Sequence, residues 1–229
     1  MRAALANIHR DRQWWRKILI GGALMLTIFG YPWAAGLVIE SLDYTRKGFP
    51  TPLPPWRDWS LRYINGLFAA LIDFVFFFLP ILVAGLFIFC AGVVFLTASG
   101  PASWLAPIAI VLALFELAMF ALGVAPVGRL IYVESGRVED ALSRRPLREA
   151  LRPGAWAIYA RARLSSLPAY LPLLALLFAI WAIARSAFPG VWAATLLLIW
   201  LACSALLYAH LVVAQLYAAA EREAGYVSI

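Results

Sequence analysis

"LFAALIDFVFFFLPILVAGLFIFCAGVVFL", residues 67 to 96, holds one ionisable side chain, Asp73, and exceeds the ~20 apolar residues that cross a ~30 Å hydrocarbon layer. Such a run reads as a membrane crossing. Residues 104–124, 167–188 and 191–217 form three more runs of the same kind. Across all 229 residues the chain is 64% hydrophobic and 14% charged, where a soluble domain carries roughly 25% charged residues. The expected fold class is therefore an all-α integral membrane protein with four transmembrane helices in one polytopic domain, 1–229.

The basic start is followed by an apolar run from Ile18 to Phe29, but Trp33 spoils the small-residue cleavage site that a signal peptide needs, so the amino terminus is expected to stay. Cys90 and Cys203 lie inside apolar runs without metal-ligand spacing and read as small hydrophobes rather than as a disulfide or a zinc site.

Charge sets the expected topology. Arg129, Arg137, Arg144, Arg145, Arg148, Arg152, Arg161 and Arg163 crowd residues 125–165, whereas the connection 97–103 has no charge. Lys and Arg gather on the cytoplasmic side, which puts the first segment inside and the second outside. Counting crossings then places 43–66, with Arg46, Lys47, Arg57 and Arg62, inside, together with the carboxyl terminus. The amino-terminal segment 1–17 carries Arg2, Arg10, Arg12, Arg16 and Lys17 and should also be cytoplasmic. The apolar run 18–42 then cannot cross once. "FGYPWAAG", 29 to 36, breaks it at Gly30 and Pro32 into arms of about ten residues, each too short to span. Two arrangements fit this broken helix pair: a re-entrant hairpin, and a single kinked crossing with an external amino terminus.

"PLPPWRDWSLRYINGL", 52 to 67, packs three prolines, two tryptophans and two arginines between apolar runs. Trp56, Trp59 and Tyr63 share one face of a helix expected to begin near Asp58, with Arg57 and Arg62 elsewhere on the wheel. Residues 52–66 are thus expected to form an interfacial elbow that lies flat and rises at Gly66, its arginines reaching headgroup phosphate. Residues 137–163 read as a second cytoplasmic interfacial segment, broken at Pro146 and Pro153, with Leu147 and Leu151 one turn apart among arginines. Arg144, Arg145, Arg148 and Arg152 are its candidate lipid or partner contacts.

Ionisable and polar groups at hydrocarbon depth are costly and merit a functional hypothesis. They are Asp73, Glu116, His210 and Gln215, all expected to face the bundle interior, with Glu116 neutral and hydrogen-bonded there. His210 is the one candidate cofactor residue, as a pigment ligand, because the other histidine, His9, lies in the amino-terminal tail. No phosphate loop, GxSxG, HExxH or paired-carboxylate pattern occurs, so no catalytic residue, metal site or enzyme activity is expected, and no cofactor is identified.

"LPPWRDW" at 53 to 59 followed by "YINGL", the start "WWRKILIGGAL" (14 to 24) and the last helix with "AHLVVAQLY" (209 to 217) resemble the prokaryotic membrane family called domain of unknown function 4013. The chain departs from that pattern in the Val and Ala before Gln215. The resemblance implies a multipass architecture in a bacterial or archaeal cytoplasmic membrane and supplies no activity, catalytic residue or cofactor.

Two functions are expected from these features. The first is a non-catalytic subunit or scaffold in a larger membrane complex, such as a respiratory or photosynthetic assembly, with anionic headgroups and other membrane subunits as partners and no nucleic acid. The second is a small permease or a protein that handles lipids or other lipophiles, built as a homo-oligomer.

Overall fold

A computed structural model describes residues 1–97, 105–185 and 190–225. Among them every regular element is a helix, with no strand. The uncharged connection at 97–103 is therefore described only at Thr97, and Trp104 and residues 186–188 also lie outside the described residues. Twelve α-helices follow in chain order: α1 Arg2–His9, α2 Trp14–Met25, α3 Tyr31–Arg46, α4 Trp59–Asp73, α5 Leu79–Thr97, α6 Leu105–Met119, α7 Ala125–Ser135, α8 Val138–Ala141, α9 Arg145–Ala150, α10 Ala155–Ser165, α11 Leu171–Ala184 and α12 Val191–Glu223. Among the described residues four helices are long and apolar enough to cross a membrane: Trp59–Thr97, Leu105–Ser135, Ala155–Ala184 and Val191–Glu223. Each contains most of one expected run and extends past it at one polar end. Hydropathy marks only the part of a helix that needs lipid, whereas backbone hydrogen bonding carries the helix on into the polar zone.

Two compact units divide the chain, one made of Met1–Ala70 with Arg161–Ile229 and the other of Leu71–Ala160.

The first unit is organised along α12. From Leu207 to Glu221 this helix buries most of its side chains, which is the pattern of a helix packed against several neighbours. Trp200 donates from Nε1 to the Leu19 carbonyl at 3.0 Å, while the Trp14 and Tyr208 rings lie 5.9 Å apart, so α2 runs antiparallel to α12. α3 runs the other way. Its Thr45 accepts a hydrogen bond from Gln215 at 2.7 Å, and its Arg46 donates from Nε to Glu221 at 2.8 Å. Asn7, ahead of α2, also donates to Gln215, at 2.5 Å. One side chain of α12 thus holds both ends of the broken run, and the chain doubles back on itself. The break falls at Leu26–Gly30, where Thr27 Oγ1 accepts the Gly30 N–H at 3.0 Å, and Pro32 sits in the first turn of α3, where a missing N–H costs nothing.

The rise expected at Gly66 is corrected: α4 continues through Gly66 to Asp73, and no helix ends there. Gly66 is a packing notch instead: a Cβ on it would lie 1.7 Å from the Pro32 carbonyl oxygen, so α3 and α4 meet backbone to backbone. The segment before α4 is non-helical, with Pro52, Leu53 and Pro54 buried, and Asp58 takes a left-handed conformation at φ 52° while its carbonyl accepts the Arg62 N–H.

In the second unit α5 and α6 pack as an antiparallel pair, and each continues into a π-helical turn, Phe74–Phe78 before α5 and Phe120–Val124 after α6. The two turns share a spacing, "FVFFFLP" and "FALGVAP". A proline inside a helix has no N–H to donate and collides with the carbonyl four residues back; the wider π turn accommodates Pro80 and Pro126. α7 stops at Gly136, whose φ of 68° and N–H to the Tyr132 carbonyl close the helix. In 137–163, Pro146 opens α9 rather than breaking it, Pro153 separates α9 from α10, and Leu147 and Leu151 are both exposed.

Candidate functional site

Each unit has a charged cluster that ties its elements together. In the first, the motif stretch is strapped down by two cations. Arg62 is 2% exposed, and its guanidinium donates to Glu40 from Nη2 at 2.5 Å and from Nε at 3.0 Å, and from Nη2 to the Pro55 carbonyl at 2.7 Å. Its carbon lies 4.7 Å from the centre of the Trp56 ring, close enough for a cation–π contact. Lys17 donates to the Leu53 carbonyl at 2.7 Å and to Asp11 at 2.5 Å, and Trp56 donates from Nε1 to the Lys17 carbonyl at 3.3 Å. Trp56 stacks on Trp59 at 5.2 Å, and Trp33 donates to the Trp59 carbonyl at 2.9 Å.

The expectation that Arg62 reaches headgroup phosphate is therefore corrected. An arginine buried this deeply needs an internal anion, and α3 supplies one in Glu40. Arg57 is exposed, Trp59 is 44% exposed and Trp56 half-buried, positions open to the interfacial contacts expected of them.

In the second unit Arg129 pairs with both carboxylate oxygens of Asp73, with Nε to Oδ1 at 2.7 Å. Asp73 lies 24 residues from Thr97 and Arg129 lies 24 from Leu105, a distance of about 36 Å at the α-helical rise. The matched register explains the pairing. Gly128 brings α7 against Phe76 of the first π turn, one helical face from the pair. Such turns recur at functional positions in other helices.

Glu116 is eleven residues from Leu105, about 17 Å along the helix. It is half-buried, with no hydrogen bond or ion pair among the described residues, so the bond expected for it is not made within them. Gln215 is 4% exposed and joins Asn7, Thr45 and Ser41 in a polar cluster. His210 stands edge-on to Tyr170 at 6.2 Å. Arg145 pairs with Glu134 at 3.1 Å, Arg148 and Arg152 both approach Glu149, and Arg144 is exposed. No group of three or more His, Cys, Asp or Glu among the described residues could hold a metal ion.

Sequence reasoning missed Glu40 and the role of Arg129. Glu40 is the one acidic side chain between Ile18 and Leu42, a signal that was available. Arg129 was assigned to topology alone, which is how it reads when its partner is 56 residues away.

Helices of this length and composition, with buried ion pairs and polar bonds between them, define an all-helical multipass membrane protein. Residues 19–184 match the family described as "Protein of unknown function (DUF4013)", and the chain belongs to that family. The matched residues include the motif at 53–59, and the closing motif at 209–217 lies beyond them. No curated protein and no solved structure matches the chain.

Proposed function

We propose that this protein is a non-catalytic subunit or scaffold that packs within a larger membrane complex. The observation that supports this reading is Glu116, an ionisable group in a helix long and apolar enough to cross a membrane, with no partner among the described residues of its own chain. Its neighbours Val111, Leu112, Leu114 and Phe115 are more than half exposed. A donor on a helix of another subunit would satisfy the carboxyl group where lipid cannot. The charged clusters support the same reading, since both clamp backbone or pair helices. Extraction in mild detergent followed by mass spectrometry is expected to recover stoichiometric membrane partners. Glu116→Gln keeps them, because an amide still bonds, and Glu116→Lys loses them. A lone homo-oligomer unaffected by either change overturns the proposal.

The doubled-back α2–α3 pair and the two π turns favour a second reading, a small permease or lipid-handling protein, because broken helices supply the backbone groups that line a substrate path. Loss of transport by Glu116→Gln in a fully assembled protein would select it.

The topology proposed for either role has both termini cytoplasmic and 18–42 re-entrant. Cysteines placed near Arg10, Lys47 and Arg145 are expected to react with an impermeant reagent from one side of the membrane, and a cysteine at position 99 from the other. Labelling near Arg10 from the side that reaches position 99 would exclude the re-entrant arrangement.

A further inference from the structure

Arg12, Gln13, Trp15 and Arg16 line an open recess of about 360 Å³ at the junction of α1 and α2. Arg12 and Arg16 are exposed and have no carboxylate partner among the described residues. The nearest acid in sequence, Asp11, is 7% exposed and fully used: its Oδ1 accepts the Gln13 N–H at 2.8 Å and its Oδ2 accepts from Lys17. The recess therefore carries two positive charges without a counter-ion. Its guanidinium groups are partly oriented, since the Arg16 carbon lies 5.1 Å from the centre of the Trp15 ring. That indole is 47% exposed and gives the recess an apolar wall.

The depth of the recess is set by the rings beneath it. His9 lies 4.6 Å from Trp14, Trp14 lies 5.9 Å from Tyr208, and the Tyr208 hydroxyl is 3.1 Å from His9 Nε2, which fastens the α1–α2 junction to α12 at Tyr208. Tyr208 is seventeen residues from Val191, about 26 Å along the helix, close to the thickness of the hydrocarbon layer. Two uncompensated guanidinium groups beside an exposed indole at this level match an anionic phosphate with acyl chains below it.

We propose that this recess binds the phosphate group of an anionic lipid headgroup. The test measures binding of fluorescently labelled phosphatidylglycerol to the full-length protein in neutral detergent, with labelled phosphatidylcholine as the reference. The wild type is expected to prefer phosphatidylglycerol, and the double variant R12Q/R16Q to bind it about tenfold more weakly, since two charge-assisted donors are lost. R12K/R16K, which keeps both charges, should lose much less. Thermal melting of each variant checks folding, and the single variant R12Q, whose position precedes α2, repeats the measurement if the double variant is unstable. Unlabelled inorganic phosphate separates the sources: without displacement the ligand is the lipid, and with displacement the recess is a general phosphate site and the lipid assignment falls. Equal binding by wild type and R12Q/R16Q overturns the proposal. So does an equal loss in R144Q/R148Q, which would show that net charge alone attracts the lipid.

Discussion

Arg62→Ala is expected to lower the thermal midpoint of the detergent-solubilised protein by about 6–12 °C and to cut its accumulation in the membrane sharply. Removing one member of a buried ion pair strands the other charge, at a cost of about 3–5 kcal/mol. The lower end applies here because the Glu40 side chain is one-fifth exposed. About 3 kcal/mol corresponds to that shift for a chain of this size. The same change frees the Pro55 carbonyl and removes the cation from the Trp56 ring, so the strap loses an anchor as well as a charge. Arg62→Lys restores charge but not the fork that reaches Glu40 and Pro55 together, and should recover only part. Replacing both partners with apolar residues, Glu40→Leu with Arg62→Met, should recover more than half, because no charge is left unpaired. Arg57→Ala, at an exposed position in the same stretch, should melt with the wild type. Equal melting of Arg62→Ala and Arg57→Ala would return Arg62 to the headgroup role.

Gly66→Val should be more damaging still, to the point of preventing accumulation. The first added carbon would sit 1.7 Å from the Pro32 carbonyl oxygen, 2.5 Å from its carbon and 2.8 Å from the Gly36 nitrogen. These are backbone atoms, which cannot move aside as the end of a side chain can, so α3 and α4 must separate. Separation exposes the Arg62–Glu40 pair, because Gly36 packs on the Arg62 backbone in the same contact. A loss on the order of 4 kcal/mol or more is expected, beyond the usual range for overpacking. Gly85→Ala provides the comparison: nothing lies within 4 Å of the added carbon, and the variant should accumulate normally. A fluorescent fusion followed by size-exclusion chromatography distinguishes the two. A normal monodisperse peak for Gly66→Val would refute the close α3–α4 contact.

The four crossings were legible because the demand of the hydrocarbon layer is local: each run must be apolar along its own length. What the runs pack against is not local. Arg62 has the same place on a helical wheel whether it meets phosphate or Glu40, and only the fold brings α3 to it. Asp73 and Arg129 were read separately, one as an intramembrane acid and one as a topology marker, though equal distances from their helix ends could have paired them. Gln215 was expected to face the bundle interior, but its partners Asn7, Ser41 and Thr45 lie more than 160 residues away and only the fold brings them to it. The two π turns left a visible trace in Pro80 and Pro126, yet a proline announces a disturbance without saying whether the helix bends, ends or widens.

Asn7 meets Gln215 across 208 residues, Trp200 meets Leu19 across 181, and Arg46 meets Glu221 across 175. These contacts give the protein an order of manufacture. At roughly 5–20 residues per second, the ribosome finishes α12 on the order of ten seconds or more after it has released α3. During that interval the first two arms, each short for a crossing, have no helix to lie along. Their earliest companions are α4 and the strap, so the Lys17 and Arg62 bonds can hold the young hairpin together before its permanent support arrives. The last helix to be made is then the one that completes the first.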